Sequence, residues 1–246
     1  MNIIWSVVLG IIQGLTEFLP VSSSGHLVIA QHFIPGFSQP GVMYDVILHL
    51  ATLLAILYFF RKKIFKLGLK YYQLLLVGTI PAAVLGFLFQ SQLEKMFGNF
   101  KMVGVELVIT GILNLLVDKV ETRKTNISNT NSLLIGISQA VAIIPGISRS
   151  GATIFTGVKL GIDKKKVAEF SFLLSIPAIL GANILEFATH GLSDGFANPL
   201  FYLVGFVAAL ISGFYSINMV FNSLAKKKFG LFGIYAIALG LIVIFI

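Results

Sequence analysis

The sequence contains no cysteine, which excludes disulfides and thiolate metal sites and leaves the redox compartment unspecified. Charge is scarce as well. Asp, Glu, Lys and Arg make up 11% of the 246 residues, against about 25% in a soluble domain. Hydrophobic residues make up 57%, and mean hydropathy is +0.93. That balance excludes an ordinary soluble domain and predicts a polytopic membrane protein, one membrane domain over residues 1–246. The first apolar stretch lacks the marks of a signal peptide: no basic residue precedes it, Glu17 interrupts it, and no small-residue cleavage site follows. Net charge is +8. The surplus lysines read as cytoplasmic anchors, and no nucleic-acid partner is expected.

What is present is a set of apolar blocks, at 2–19, 24–34, 42–60, 71–90, 101–118, 132–144, 147–160, 167–188, 199–224 and 230–246. A full span needs about 20 apolar residues. Six blocks qualify: 42–60, 71–90, 101–118, 167–188, 199–224 and 230–246. The other four form two pairs, each broken by a proline and a serine-rich turn, Pro20-Val-Ser-Ser-Ser-Gly25 and Pro145-Gly-Ile-Ser-Arg-Ser-Gly151. All should be helical, because an isolated strand leaves its backbone unsatisfied in lipid. Basic residues cluster at Arg61, Lys62, Lys63, Lys66 and Lys70, at Lys119, Arg123 and Lys124, at Lys164–Lys166 and at Lys226–Lys228. The segments 91–100 and 189–198 carry only Lys95. With the clusters in the cytoplasm, segment 132–163 enters and leaves by one face, as a re-entrant hairpin or else as a two-span hairpin, for which its blocks 132–144 and 147–160 are short. Residues 35–41 fall outside, and the hairpin 1–34 opens outward.

A constant offset of 126 lays Gly10 on Gly136, Gln13 on Gln139, Ser22 on Ser148, Ser24 on Ser150 and Gly25 on Gly151, with Ser23 on Arg149. Each half is then one re-entrant hairpin followed by three spans, 1–118 and 132–246. Three is odd, so the second half is inverted. The predicted architecture is all-α, six transmembrane helices plus two re-entrant helical hairpins in two inverted-topology repeats, with a site where the broken helices meet. Pro81 and Pro177 do not match at this offset and read as separate kinks.

The second turn is the chemical centre of the sequence. Arg149 lies in an otherwise apolar region, where a cation calls for a partner or a ligand. Gly146 and Gly151 admit close backbone approach, Ser148, Ser150 and Thr153 offer hydroxyls, and the start of the next helix offers backbone N–H groups to an anion. In the first turn Gln13 and Glu17 share one helix face, and Ser22, Ser23, Ser24, Gly25 and His26 follow the break. If the hairpins meet tip to tip, Glu17 and His26 face Arg149. Such a pocket suits phosphoryl transfer, which depends on positioning and charge neutralisation. The structural alternatives are a simple Glu17–Arg149 neutralising pair and a hydrogen-bonded His26. His32, His49 and His190 lack comparable company and read as structural. Gly10-xxx-Gly14 and Gly136-xxx-Ala140 offer small faces for helix packing.

These two stretches resemble the paired signatures of the undecaprenyl-diphosphate phosphatase family, the bacitracin-resistance type. The first is Gln13-Gly-Leu-Thr-Glu17-Phe-Leu-Pro-Val-Ser-Ser-Ser-Gly-His26, and the second runs from Pro145 to Thr153. Ala168–Pro177 resembles a further family segment, and the similarity covers essentially the whole chain. The resemblance implies a multi-pass hydrolase of the bacterial cell membrane. It would remove one phosphate from undecaprenyl diphosphate at the outer face and regenerate the lipid carrier for cell-wall glycan. It implies Glu17, His26 and Arg149 as the catalytic core. Gln13, Ser22, Ser23, Ser24, Gly25, Gly146, Ser148, Ser150 and Thr153 would contact the diphosphate, and Glu17 would be a metal ligand. It also implies a divalent cation, magnesium or calcium, and a homodimer. Family members often carry Glu at the position of Gln13, so this chain offers a metal one anion fewer; Asp45 and His49 stand where many carry Glu and Gln. The attacking group is left open between water, a hydroxyl of Ser22–Ser24 and His26. Two rivals are weighed. The type-2 phosphatidic-acid phosphatases share fragments of these motifs, but their later histidine falls on Phe155 and no Lys-x6-Arg-Pro stretch exists. A polyprenyl-phosphate transporter or flippase would use the same pocket without hydrolysis.

Overall fold

The computed structural model describes residues 3–34, 43–90, 92, 96, 100–122, 126–190 and 199–246. Lys95, Arg123, Lys124 and the expected outer segments 35–41 and 191–198 lie outside the described residues. The described residues form ten helices: α1 (Ile3–Phe18), α2 (Ser23–His32), α3 (Met43–Ile64), α4 (Leu69–Leu88), α5 (Phe100–Val117), α6 (Asn129–Val141), α7 (Arg149–Lys159), α8 (Lys164–His190), α9 (Pro199–Ala225) and α10 (Gly230–Phe245). Four of them, α1, α2, α6 and α7, are the expected half-length pieces. Five helices, α3, α4, α5, α8 and α9, hold segments long and apolar enough to cross a membrane. The sixth expected span is α10, at 16 residues about 24 Å long. Pro81 and Pro177 sit inside α4 and α8 without ending them.

Glycine and serine faces set the main contacts, as close packing in lipid requires. Gly10 of α1 lies against Gly205 and Ala208 of α9, and Gly14 against Ala209, Ser212 and Gly213. Ser216 Oγ donates to the Gly14 carbonyl at 3.0 Å. In the same way Gly136 of α6 lies against Gly78 of α4, and Ser132 Oγ donates to the Leu74 carbonyl at 2.5 Å. Residue numbers rise together in both pairs, so α1 runs parallel to α9 and α6 parallel to α4. The 126-residue offset carries α1 to α6 and α4 to α9, so the two contacts correspond, and each joins one half of the chain to the other. By contrast α5 and α10 are antiparallel, with Gly104 against Gly240 and Gly111 against Gly233.

The basic clusters gather at one end. Lys63 at the end of α3 pairs with Glu169 near the start of α8. Lys164 Nζ donates to the Asp118 carbonyl at 3.3 Å, and the Gly230 amide donates to Asp118 Oδ2 at 2.8 Å. Because α9 ends in Lys226–Lys228, its parallel partner α1 starts at the opposite end. Because α4 starts just after Lys66, its partner α6 starts at the basic end. The two broken helices therefore approach each other from opposite ends. Beneath their meeting point lies the larger core, where Phe18 and Phe172 pack edge to face at 5.6 Å among Phe60, Phe170 and Ile154.

Candidate active site

Both turns are built by the same local chemistry. After Pro20 the chain re-enters a helix at Ser22, whose Oγ accepts from the Gly25 amide at 3.2 Å and lies 3.3 Å from Ser24 Oγ. At the second turn Ser148 Oγ accepts from the Gly151 amide at 3.1 Å and lies 3.2 Å from Ser150 Oγ. A serine N-cap satisfies the third amide of each helix, which leaves the first two of each, Ser23 and Ser24, Arg149 and Ser150, without an intrahelical acceptor. Those amides carry the positive end of the helix.

The tips touch. The Gly146 amide donates to Ser24 Oγ at 3.4 Å, and Ser150 Oγ donates to the Leu19 carbonyl at 3.2 Å. A Cβ on Gly25 would stand 3.3 Å from Gly146 Cα. Gly146 has φ +92°, and a Cβ there would stand 2.7 Å from Glu106 Cβ, so both conformation and space call for glycine. Helix α5 braces both turns. Thr110 Oγ1 donates to the Gly146 carbonyl at 3.0 Å and accepts from the Ser148 amide at 2.9 Å, while Asn114 Nδ2 donates to the Pro20 carbonyl.

Glu17 is the hub. Arg149 Nη2 donates to its Oε1 at 2.5 Å, across 132 residues of sequence. Its Oε2 accepts from Ser23 Oγ at 2.8 Å and from Gln13 Nε2 at 3.0 Å. His49 Nε2 stands 3.7 Å from the same oxygen, with Nδ1 2.8 Å from the Asp45 carbonyl. The Glu17 side chain is 6% exposed and that of Arg149 15%. Removing either partner of such a buried pair leaves an uncompensated charge, at a cost of about 3–5 kcal/mol. The pair does not exhaust the arginine. Its Nη1 is buried with no partner, and so is Gln13 Oε1. A donor and an acceptor thus stand unused on either side of one carboxylate.

The remaining expected residues take distinct places. His26 is buried and engaged at both nitrogens, Nδ1 with the Ser22 carbonyl at 2.7 Å and Nε2 with the Tyr235 hydroxyl at 2.8 Å. Neither nitrogen meets Glu17 or Arg149. The Thr153 hydroxyl turns back to the Arg149 carbonyl at 2.7 Å and to Ser171 Oγ at 2.6 Å, supporting the arginine's helix from behind. Sequence reasoning read His49 as structural and without company, whereas the packing of α3 sets its Nε2 beside Glu17; Thr110, Asn114 and Tyr235 it passed over. A polar series at Glu106, Thr110 and Asn114, spaced by four along an apolar helix, marks the face of α5 that meets the turns. Tyr235 carries no such signal. Among the described residues no group of three or more His, Cys, Asp or Glu is placed to hold a metal. The Glu17 carboxylate with the unpartnered Gln13 oxygen offers two oxygen ligands, a set suited to a divalent cation that brings phosphate oxygens with it.

Residues 6–242 match the family described as bacitracin resistance protein BacA. Among curated relatives, a protein named undecaprenyl-diphosphatase from Christiangramia forsetii is 40% identical, over 98% of this chain and 97% of that protein. Proteins of the same name from Syntrophotalea carbinolica and Thermosipho africanus are 37% and 39% identical, over 98% of this chain and 97% and 98% of theirs. The chain belongs to the bacitracin resistance protein BacA family and is an integral membrane protein.

Proposed function

We propose that this protein is an undecaprenyl-diphosphate phosphatase, which hydrolyses undecaprenyl diphosphate to undecaprenyl phosphate and inorganic phosphate and so recycles the lipid carrier of cell-wall synthesis. Its relatives' shared name supports the substrate. The observation that carries the chemistry is the Ser23–Glu17–Arg149 cluster: a hydroxyl donating to a buried carboxylate, beside a guanidinium with one arm unused.

In this reading Arg149 Nη1 and the first amides of α7 hold the terminal phosphate, where charge spreads over its oxygens in the transition state. Ser23 Oγ attacks the terminal phosphorus and passes its proton to Glu17 Oε2, the acceptor it already faces at 2.8 Å. The bridging P–O bond breaks, and protonated His26 gives its Nε2 proton to the departing phosphate oxygen. Water then attacks the phosphoserine, its proton going to His26, while Ser23 Oγ leaves with the proton held on Glu17. Both groups return to their starting states. A divalent cation belongs to the same proposal: Glu17 and Gln13 Oε1 would hold it, and it would neutralise charge on the diphosphate. The pocket opens to the end opposite the basic clusters, the outer face, and the two halves form an inverted repeat. The opposed starts of α1 and α6 support that arrangement.

The test is phosphate release from undecaprenyl diphosphate by purified protein in detergent, with and without chelator, beside the Glu17→Ala variant. Release that requires Glu17 is the expected result. Well-folded protein that releases none overturns the proposal.

A further inference from the structure

At the basic end of the bundle the helices enclose a second space. A cavity of about 730 Å3 is walled by the end of α5 and the residues just after it, the start of α8 and the end of α9. None of its lining residues belongs to the two broken-helix turns. Val120, Phe221 and Leu224 make part of its wall apolar, and Lys119, Lys164, Lys165 and Lys227 bring four cations to it. The carboxylates on the same walls are committed to the fold. Asp118 Oδ2 accepts from the Gly230 amide at 2.8 Å, and Asp163 Oδ1 accepts from the Lys166 amide at 3.0 Å and so caps α8. Glu121 is engaged as well. Lys164 Nζ donates to the Asp118 carbonyl at 3.3 Å, but among the described residues no carboxylate pairs with Lys119, Lys165 or Lys227. The cavity therefore offers three uncommitted cations and no uncommitted acidic residue.

Orientation in the membrane accounts for lysines at this end, but not for their gathering around one space. Lys166, Lys226 and Lys228 belong to the same runs and stay outside the lining. Two further observations point to what the space would take. Lys227 stands at φ +52°, a left-handed position just past a helix end that glycine usually fills, so a charged side chain is kept there against the backbone preference. Asp118 Oδ1 is buried with no partner, an acceptor in the wall that lacks a donor. Phosphate oxygens suit the lysines, a hydroxyl suits Asp118 Oδ1, and the apolar wall suits a short carbon skeleton. A basic pocket between helix ends at the membrane boundary is where a lipid headgroup meets such a set.

We propose that this cavity binds the glycerophosphate headgroup of an anionic phospholipid, with the phosphate held by Lys165 and Lys227 alongside Lys119 and Lys164. No bond is made or broken there, and the binding does not depend on the hydrolytic reading above.

The full-length protein is purified in detergent, mixed with equal amounts of phosphatidylglycerol and phosphatidylcholine, and the retained lipid is counted by native mass spectrometry. Lys165→Gln/Lys227→Gln removes two exposed charges of the cavity. Lys166→Gln/Lys228→Gln removes two exposed charges of the same runs outside it. The expected result is a preference of the wild type for phosphatidylglycerol, kept by the outer pair and weakened about tenfold in the cavity pair. Equal retention of the two lipids by the wild type overturns the proposal. Equal weakening in both double variants also overturns it, since surface charge alone then holds the lipid. Inorganic phosphate is the third arm. Phosphatidylglycerol that stays bound at millimolar phosphate supports the lipid as occupant; its displacement assigns the lysines to soluble phosphate and overturns the lipid.

Discussion

The two broken-helix turns share a serine capping pattern and differ in almost everything that can react. Ser22 and Ser148 cap their helices at 3.2 and 3.1 Å, and each shares its hydroxyl with the serine two residues on. At the positions between and around these serines the halves part. Ser23 corresponds to Arg149, Glu17 to Ile143 and His26 to Ala152. One half carries the carboxylate, the proposed nucleophilic hydroxyl and the imidazole; the other carries the cation. The repeated serines build two positive helix ends aimed at one point, and the unrepeated residues decide what happens to an anion placed there. Gln13 and Gln139 make the same division visible in the structure. Gln13 donates to Glu17 four residues on, whereas Gln139 faces an isoleucine at that position, and neither its amide nitrogen nor its oxygen has a partner.

The largest effect should come from breaking the tie between the halves. Arg149→Ala removes the only charged group of the second turn and strands Glu17. We expect kcat/KM to fall about 10³-fold or more, as when a phosphate-clamping arginine is lost. In a double-mutant cycle with Glu17→Gln, the combined loss should be far less than the product of the single losses, because each variant already disables the pair. Independent, multiplicative losses in the phosphate-release assay would mean that the two residues do not act as a unit.

Next is the residue that takes the arginine's place in the first turn. Ser23→Ala should lower kcat by about 10²- to 10³-fold, comparable to removing another group that acts only in the transition state. Ser150→Ala, the neighbour of the arginine in the second turn, should cost far less, because its hydroxyl is spent on the Leu19 carbonyl. Equal losses for the two serines would make both of them positioning groups and return the attack to water.

How far the sequence revealed this can be judged from particular residues. The ten helices among the described residues, five of them long and apolar enough to cross a membrane, were legible, because proline and serine interrupt apolar runs at Pro20 and Pro145, and periodicity and length need no tertiary information. Glu17, Ser23 and Arg149 were legible as ionisable or polar groups at membrane depth. His49 and Tyr235 were not. His49 sits one turn after Asp45 in a span that reads as an ordinary helix, and only the packing of α3 on α1 brings its Nε2 to Glu17. Tyr235 looks like any aromatic residue of a lipid-facing helix; its hydrogen bond crosses 209 residues of sequence. Short-range pattern carries the elements, and the long-range partners of buried polar groups come only from the fold.

A third test concerns how each half enters its turn. The first uses Pro20 and a positive φ at Ser22, +71°; the second uses Gly146 at φ +92°, pressed against Glu106. Gly146→Ala combines backbone strain with a collision at 2.7 Å from Glu106 Cβ. It should lower stability by about 2–4 kcal/mol, read as a lower thermal midpoint in detergent. Glu106→Gly in the same protein removes that Cβ and should relieve the collision but not the strain, restoring part of the midpoint relative to Glu106→Gly alone. No restoration would place the whole cost in the backbone.

The smallest effect separates the two caps. Ser22→Ala and Ser148→Ala each remove one accepted amide bond and should cost about 1 kcal/mol apiece. Glycine divides them. At Ser148, φ −73° is ordinary for any residue, so Ser148→Gly loses the side-chain bond and gains only flexibility in the unfolded chain. At Ser22 the positive φ strains a serine and suits glycine, and relief of that strain, about 1 kcal/mol, opposes the loss of the cap. Ser22→Gly should therefore leave the midpoint unchanged or raise it, while Ser148→Gly lowers it. Equal shifts would mean that the strain at Ser22 is repaid elsewhere in the turn, with its hydroxyl contact to Ser24 the first place to look. Opposite shifts would show that the first turn carries strain which the second avoids, at the residue next to the proposed nucleophile, where strained backbone holds a reactive side chain in place.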